Sequence, residues 1–346
     1  MFDKNLKYYR LKKSMTKKML AEKVNLSSMA ITNYENGSRM PNMDILKKLA
    51  NALDIRVSDF LATRNNKLMF EHSEFYKKAS FSITNQELVK EMTEEYFERF
   101  YTTVELLGGE ILPDAPRCHY VPLTDDIEND AESLRIHLCL GKDGPIGNLI
   151  TILENKGILI YICNINDEKF LGMNGFVNKR PYIIINKNLS PENSRLTIAH
   201  ELAHLIFNWP KDLSEKSIEE KATNIAKAFL FPKNNAIFEL GIHRNKISND
   251  MTLICQEYGI SMSLLVKRAK ALKIISNETV KNYNEMAKSL GWKKNEPTYI
   301  KKEETTLFEQ LVYRAINENE INMKRGAELL KMPYDTVLSK CQFIKD

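Results

Sequence analysis

Apolar residues recur at helical spacing through the first sixty residues of the chain. They form three short stripes separated by small breaks, at residues 20–24, 31–34 and 45–53. Ser27 is a good N-cap for the middle helix, and Asn36-Gly37 is a typical stop signal. Only Asn25 and Leu26 remain for the turn, so the two flanking helices must cross sharply. The pattern predicts a compact helical bundle that contains a helix-turn-helix.

The remaining chain mixes helical and strand patterns. Apolar residues after Thr84 predict one long amphipathic helix that ends near Leu107, and its polar side carries five glutamates, which does not suit an anionic membrane surface. Three apolar runs have strand character, at residues 158–163, 170–177 and 182–185. These elements predict an α+β fold: an N-terminal all-α domain, a mixed helical domain with a small β-sheet, and a helical C-terminal segment.

Length and composition fit a globular protein with more than one domain. The chain has 346 residues, of which 43% are hydrophobic and 27% charged, and single cores rarely grow beyond about 250 to 300 residues. No apolar run approaches the roughly 18 residues needed to cross a bilayer, and the N-terminus lacks a signal-peptide core. We therefore expect a cytoplasmic protein with no membrane partner. The five scattered cysteines indicate no disulfide framework.

The positive charge is concentrated at the N-terminus. Residues 1–67 carry 14 Lys and Arg against 6 Asp and Glu, whereas the remainder carries 36 against 39. A basic domain joined to a near-neutral one favours a polyanionic partner such as nucleic acid. A lysine-rich solvated surface would give the same count, so charge alone decides little.

The N-terminal pattern resembles the phage-repressor (XRE) helix-turn-helix family across residues 6–61. The matching positions include Leu20-Ala21-Glu22-Lys23-Val24, Leu26-Ser27, Ile31, Glu35-Asn36-Gly37, Arg39-x-Pro41 and Leu49-Ala50-x-Ala52-Leu53. The resemblance implies an internal Arg10–Glu35 pair and a recognition helix, Ser28 to Asn36, that enters the major groove of double-stranded operator DNA. A homodimer on two half-sites is the assembly that this resemblance suggests.

Five residues are the predicted DNA contacts under this resemblance: Lys17, Ser28, Met29, Thr32 and Asn33. Asn33 suits an adenine edge and Met29 a thymine methyl group, while Ser28 and Thr32 suit bases or phosphates. Lys17 stands where the family commonly has Gln, which favours a phosphate contact at that position. The alternative is a helix-turn-helix fold used only for protein contacts or dimerisation.

A His-Glu-x-x-His motif, His200 to His204, lies on a predicted helix opened by Pro191. Residues four apart on a helix lie about 40° apart around the axis and about 6 Å along it, so both imidazoles can point at one zinc ion. Glu201 lies on the adjoining face, where it can take a proton from a water molecule without being a ligand. The alternative is an amphipathic helix with two exposed or hydrogen-bonded histidines.

A catalytic zinc site of this type needs a third protein ligand. The next helix carries Glu219 and Glu220, and the small and apolar stripe of that helix extends backward to Glu219. A carboxylate on a buried face needs a partner or a metal, whereas Glu220 lines up with the polar side. The pattern therefore favours Glu219 as the third zinc ligand.

The central region resembles the ImmA/IrrE family of zinc metallopeptidases, across about residues 144–274. The matching stretches include Asn174-Gly175-Phe176, Ile183-Ile184-Ile185-Asn186, Arg195-x-Thr197-x-Ala199-His200-Glu201-Leu202-x-His204, Glu219-x-x-Ala222 and Phe229-Leu230-x-Pro232. The resemblance also implies Glu219 as ligand and Glu201 as general acid/base. Two residues depart from the family pattern: Ala203 replaces the usual Gly, and Thr223 replaces the usual Asn. The second departure bears on how the third ligand is held.

We therefore predict four regions. They are an XRE-type helix-turn-helix domain (1–64), a connector that starts with a hinge at residues 64–67 and continues as the amphipathic helix (65–110), an ImmA/IrrE-like zinc metallopeptidase domain (111–275) and a helical C-terminal segment (276–346). Residues 327–337 of that last segment resemble a second helix-turn-helix core, for which a structural or protein-contact role is favoured over DNA binding.

The predicted function is that of a DNA-binding regulator whose peptidase cleaves a regulatory protein, either a repressor partner or the chain itself, and so switches gene expression. One alternative is a transcription factor that uses the metallopeptidase fold as a sensor or docking module. Another is an antitoxin-like repressor. Glu201 favours the enzyme, because a sensor would not need an acidic residue that binds no metal.

Overall fold

Helices dominate the structure, a computed structural model that describes residues 1–62, 64–73, 81–292 and 296–341. Residues 74–80 of the predicted connector, and residues 293–295 and 342–346 of the predicted C-terminal segment, lie outside this description. Within the described residues the elements, in chain order, are α1 (Phe2–Lys12), α2 (Lys17–Lys23), α3 (Ser28–Glu35), α4 (Met43–Leu53), α5 (Val57–Phe60), β1 (Phe70–His72), α6 (Ile83–Leu106), β2 (Val121–Pro122), α7 (Ile127–His137), α8 (Leu149–Asn155), β3 (Leu159–Cys163), β4 (Gly172–Val177), β5 (Arg180–Asn186), α9 (Pro191–Ile206), β6 (Phe207–Asn208), α10 (Glu215–Leu230), α11 (Lys233–Leu240), α12 (Asp250–Tyr258), α13 (Met262–Ala271), α14 (Asn277–Ser289), α15 (Leu307–Asn317), α16 (Met323–Leu330) and α17 (Tyr334–Cys341).

The chain divides into two units. Unit 1 joins residues 1–111 with residues 308–346, and unit 2 comprises residues 112–307. The predicted α+β fold class is confirmed: unit 1 begins with an all-helical bundle, and unit 2 combines helices with a small sheet. The four-region division made from the sequence remains a prediction; the grouping by contacts differs from chain order in placing the last helices with the first ones.

Capping side chains set the starts of the N-terminal helices. The side chain of Ser27 accepts a hydrogen bond from the backbone N–H of Ala30 at the start of α3, as the sequence predicts. The helix ends at Glu35, and the stop signal follows at Asn36. The predicted internal pair is confirmed, because the Arg10 guanidinium donates two hydrogen bonds to the buried Glu35 carboxylate, one of them at 3.0 Å. These contacts make the helix-turn-helix a separately packed core.

The long predicted helix is α6, and its acidic side is not simply a solvated face. Glu91 and Glu98 are buried, and both face the buried Arg64. Glu98 pairs with Arg64 through a short contact, and the Arg64 Nη1 atom lies 3.8 Å from Glu91 Oε2. The predicted hinge is therefore wrong for Arg64: this side chain is anchored, because its charge is paired with helix positions some thirty residues further along the chain.

A third glutamate of α6 extends this arrangement to the C-terminal helices. Glu95 Oε1 lies 2.8 Å from Arg99 Nε and 2.7 Å from Lys331 Nζ. Lys331 Nζ also donates to Tyr8 Oη of α1 at 3.1 Å. Burial raises the pKa of Glu95, but the charges of Arg99 and Lys331 outweigh it and hold the pKa at about 2. We call this group the ion-pair cluster: Arg64, Glu91, Glu95, Glu98, Arg99 and Lys331. Through the contact of Lys331 with Tyr8, it connects α1 and α6 to the residue that follows α16, all within unit 1.

The sheet of unit 2 is built on its central strand β5. β3 runs parallel to β5, with Ile160 opposite Ile183, and β4 runs antiparallel to it, with Asn174 opposite Ile183. The middle of β5 is fully buried, because it has neighbours on both sides and helix α9 packs against it. α9 also packs against β4 and α10. The sheet therefore positions the helix that carries the His-Glu-x-x-His motif. No described helix has the length and apolar character needed to span a membrane.

Candidate functional site

Helix α9 is fixed at both its start and its middle. The Ser190 side chain caps its first turn and Pro191 occupies the first helical position, where the absence of a backbone N–H costs nothing. Arg195 is buried and donates to the carbonyl oxygens of Ile146 at 2.7 Å and Gly147 at 2.8 Å. It also pairs with Glu303. These contacts attach the helix to neighbouring segments at Arg195, before the motif that begins at His200.

The structure brings three predicted ligands together. The Nε2 atoms of His200 and His204 are 3.1 Å apart. His200 Nε2 lies 3.2 Å from Glu219 Oε2, and His204 Nε2 lies 3.2 Å from Glu219 Oε1. All three side chains are half-buried. Among the described residues, this is the one group of three His, Cys, Asp or Glu side chains arranged closely enough to hold a metal ion. We call it the donor cluster.

The spacing of the donor cluster fits zinc. Two ligand atoms with bonds of about 2.0 to 2.1 Å at a tetrahedral angle are separated by about 3.3 Å. The three observed separations are 3.1, 3.2 and 3.2 Å. Two imidazole nitrogens and one carboxylate oxygen are also a donor set that catalytic zinc sites use, with a fourth position left for water or substrate. Residues and geometry are therefore both compatible with a catalytic zinc ion.

Glu219 and Glu220 differ as the helical pattern predicts. Glu219 faces the histidines, whereas the Glu220 side chain is 68% exposed and lies 3.9 Å from Lys216 on the same helix. Burial raises the pKa of Glu219, but the hydrogen bonds from His200 and His204 outweigh it and hold the pKa at about 2. The carboxylate is thus ionised over the working range of pH, which is the form that binds a metal.

Glu201 directly follows His200 in sequence, and its side chain is hydrogen-bonded to a residue of the sheet. The Asn174 side chain on β4 donates a hydrogen bond to Glu201 Oε2 at 2.7 Å. The sequence gives no role to Asn174, which enters only as part of a matching stretch. A single polar side chain in the middle of an apolar strand is the signal that could have identified it.

Thr223 lies beside the ring of His200. This residue replaces the usual Asn, and its Oγ1 atom lies 3.2 Å from Nδ1 of His200. When Nε2 of His200 binds a metal, Nδ1 carries the ring proton and donates to that hydroxyl oxygen. Thr223 therefore contacts the ring of the first predicted ligand, and it lies on α10, the helix that carries Glu219. Ala203, the other departure, is fully buried.

The predicted DNA contacts lie on the accessible side of the helix-turn-helix. Ser28 and Met29 are exposed and Asn33 is half-buried, while Ile31 and Tyr34 of the same helix are in the core. Two details modify the predicted roles. The Thr32 hydroxyl donates to the Ser28 carbonyl oxygen at 3.0 Å, so it is available to DNA mainly as an acceptor. Lys17 Nζ lies 3.7 Å from Glu35, which offsets part of its charge.

Comparisons with known proteins match two separate parts of the chain. A helix-turn-helix family model matches residues 6–60, and the model of the IrrE N-terminal-like domain, a peptidase family, matches residues 153–270. The chain is also similar to YqaE of Bacillus subtilis (strain 168), described as an uncharacterized HTH-type transcriptional regulator. The two are 35% identical over 71 residues, which is 20% of this chain and 61% of YqaE. The chain therefore contains an XRE-type helix-turn-helix domain at its N-terminus and an IrrE/ImmA-like domain of a peptidase family in its centre.

Proposed function

We propose that the protein is a DNA-binding transcriptional regulator whose zinc-dependent metallopeptidase domain cleaves a regulatory protein, a repressor partner or the chain itself, to switch gene expression. The observation that supports this most is the donor cluster, with a general acid/base candidate beside it, in a chain that also carries a helix-turn-helix domain. A regulator of this kind acts where the DNA is, so the proposal places it in the cytoplasm.

In this proposal the donor cluster holds the zinc ion. His200 and His204 contribute Nε2, and Glu219 contributes a carboxylate oxygen. A bound zinc ion would supply Lewis-acid polarisation of the peptide carbonyl and would make a water molecule a stronger nucleophile. Glu201 accepts the proton of that water and returns it to the leaving amine, because it is the ionisable group next to the cluster that the cluster does not use. Glu219 cannot take this role while it is a ligand.

The helix-turn-helix supplies the DNA side of the proposal. Met29 and Asn33 are the base-reading candidates, and Lys17 is the phosphate-contact candidate. Ser28 and Thr32 serve bases or phosphates from the same face. A homodimer would place two copies of α3 in successive major grooves, about one helical turn apart.

Glu201→Gln tests the peptidase. The substitution keeps the size of the side chain but removes its ability to accept a proton, while the donor cluster is untouched. We expect the variant to fold, keep its metal and bind DNA, yet cleave a co-expressed repressor or itself roughly 10² to 10⁴ times more slowly. Protein gels and release of the controlled promoter measure this. A Glu201→Gln protein that switches the promoter as well as wild type would show that hydrolysis is not the signal and would favour the sensor role.

Asn33→Ala tests the DNA contacts. We expect specific operator binding to weaken by ~1 to 3 kcal/mol while non-specific affinity hardly changes, because base readout and phosphate contact are separable. Titrations of operator and random DNA at one salt concentration measure both. Equal losses on the two DNAs would remove Asn33 from base reading.

A further inference from the structure

A polar side chain of the sheet holds the carboxylate of Glu201. Asn174 lies in the middle of β4, is only 9% exposed, and donates its amide to Glu201 Oε2 at 2.7 Å. A buried amide is costly unless it is hydrogen-bonded, and a bond to an ionised acceptor is stronger than one between neutral groups. The contact therefore fixes one end of the Glu201 side chain.

A glycine on the same strand allows β4 to lie close enough to α9 for this contact to form. Gly172 lies two residues before Asn174, on the same face of β4. A Cβ atom at position 172 would lie 2.6 Å from Thr197 Cγ2 of α9 and 2.7 Å from the Ile184 carbonyl oxygen. It would also lie 3.6 Å from Glu201 Cγ. Only glycine lets β4 approach α9 this closely, and the approach brings the next residue on that face to the Glu201 carboxylate.

We infer that Asn174 is a positioning residue for the general acid/base. It holds one carboxylate oxygen of Glu201, so the side chain keeps one orientation beside the donor cluster instead of sampling several. A proton-accepting group must lie within hydrogen-bond reach of the proton it takes, and a supporting contact of this kind secures that geometry. The inference rests on the proposed peptidase function for its purpose, but the contact itself can be tested without catalysis.

A donor–acceptor exchange tests the contact in metal-free, full-length protein. In Asn174→Asp a carboxylate oxygen replaces the amide donor and faces the Glu201 carboxylate. In Glu201→Gln an NH2 group, which can donate a hydrogen bond, replaces one carboxylate oxygen of residue 201. The double variant therefore restores a hydrogen bond in the opposite direction. Both tryptophans, Trp209 and Trp292, lie in unit 2, so their fluorescence follows unfolding of that unit alone.

We expect Asn174→Asp to lower the melting temperature of unit 2 by roughly 4 to 10 °C, and adding Glu201→Gln to recover most of that loss. The control is Asn164→Asp, the same change at an exposed position after β3. It should shift the melting temperature of unit 2 little, and adding Glu201→Gln should recover nothing. A double variant whose shift equals the sum of the two single shifts would overturn the inference. So would an Asn174→Asp protein as stable as wild type. If Asn174→Asp alone does not fold, folding of the double variant gives the same answer.

A second measurement separates positioning from support of the fold. This measurement uses zinc-loaded protein and, as substrate, a repressor that wild type cleaves. We expect Asn174→Ala to keep its zinc and its KM for that repressor while kcat falls about 10- to 100-fold, as for other contacts that orient site residues. An unchanged kcat would contradict the positioning role. If wild type hydrolyses nothing, the proposed function fails, while the exchange experiment still reports on the Asn174–Glu201 contact.

Discussion

Two clusters, one in each unit, give their carboxylates different partners. In the ion-pair cluster of unit 1, arginine and lysine side chains surround Glu95 and Glu98. In the donor cluster of unit 2, the partners of Glu219 are two imidazoles whose Nε2 atoms point at the same place. Protonated arginine and lysine side chains neutralise a carboxylate and offer no lone pair to a metal ion. Imidazoles can supply lone pairs, so two imidazoles and a carboxylate are a donor set that could hold a metal ion.

The ion-pair cluster also changes the meaning of the N-terminal charge. The excess of Lys and Arg in residues 1–67 suggests a polyanionic partner. In the structure Lys4 lies 3.4 Å from Glu98, Lys7 lies 2.7 Å from Glu91, and Arg64 is buried against both glutamates. Part of the positive charge therefore holds unit 1 together. The charge available to DNA is smaller than the count implies.

Removal of one partner from the ion-pair cluster should have the largest effect on stability. In Glu98→Ala the buried Arg64 keeps its charge without its closest partner, so we expect a loss of about 3 to 5 kcal/mol from the free energy of unfolding of unit 1. Glu87→Ala, at an exposed position of the same helix, should change it by less than about 0.5 kcal/mol. Denaturant titration followed by circular dichroism measures both. Equal effects would mean that the ion-pair cluster is no stronger than a surface contact.

Unfolding at low pH should reveal how much Glu95 contributes to the stability of the protein. Its pKa is lowered to about 2 in the folded protein, so the stabilisation is present above the unfolded value near 4.5 and is lost as the pH falls toward 2. A shift of this size corresponds to on the order of 3 kcal/mol. The difference between wild type and Glu95→Gln, measured by unfolding at several pH values, isolates this residue. A difference that does not change between pH 5 and pH 2.5 would contradict the assignment.

A smaller effect, on zinc affinity, is expected at Thr223, which contacts a histidine of the donor cluster. Thr223→Val removes the hydroxyl that faces His200 Nδ1 but keeps the shape of the side chain. We expect zinc affinity to fall about 10- to 100-fold, because the ring proton of His200 loses its acceptor. Thr223→Ser keeps the hydroxyl and should retain most of the affinity. Competition with a chelator measures both variants, and equal affinities for the two would remove Thr223 from the support of the metal.

Local signals in the sequence predict much of the fold and the candidate site. The cap at Ser27 and the stop at Asn36 are decided within one helical turn, and the structure agrees with both. The donor cluster follows the same logic, because His200 and His204 are one turn apart and Glu219 was selected by the face of a single helix. Periodicity alone therefore places the three side chains on facing surfaces. Their convergence depends only on α9 and α10 packing together.

Contacts between distant positions could not be predicted in this way. Arg64 pairs with Glu98, 34 residues away, and Arg195 pairs with Glu303, 108 residues away. The sequence around each arginine does not show which acidic residue it pairs with. Asn174 contacts Glu201 because Gly172 lets a strand approach a helix, a condition that depends on tertiary packing. The sequence predicts the residues proposed to do the chemistry better than the residues that hold them, because only the former have a fixed spacing.

The metal content of the protein is the decisive measurement, since the donor cluster should bind zinc through Glu219. Elemental analysis of the purified full-length protein should find about one zinc ion per chain in wild type and in Glu220→Ala, and far less in Glu219→Ala, because only the latter loses a predicted ligand. The two acids are adjacent on α10, so the pair controls for charge and helix stability. A wild-type protein that binds no zinc, or a Glu219→Ala protein that keeps all of it while Glu220→Ala loses it, would contradict the account.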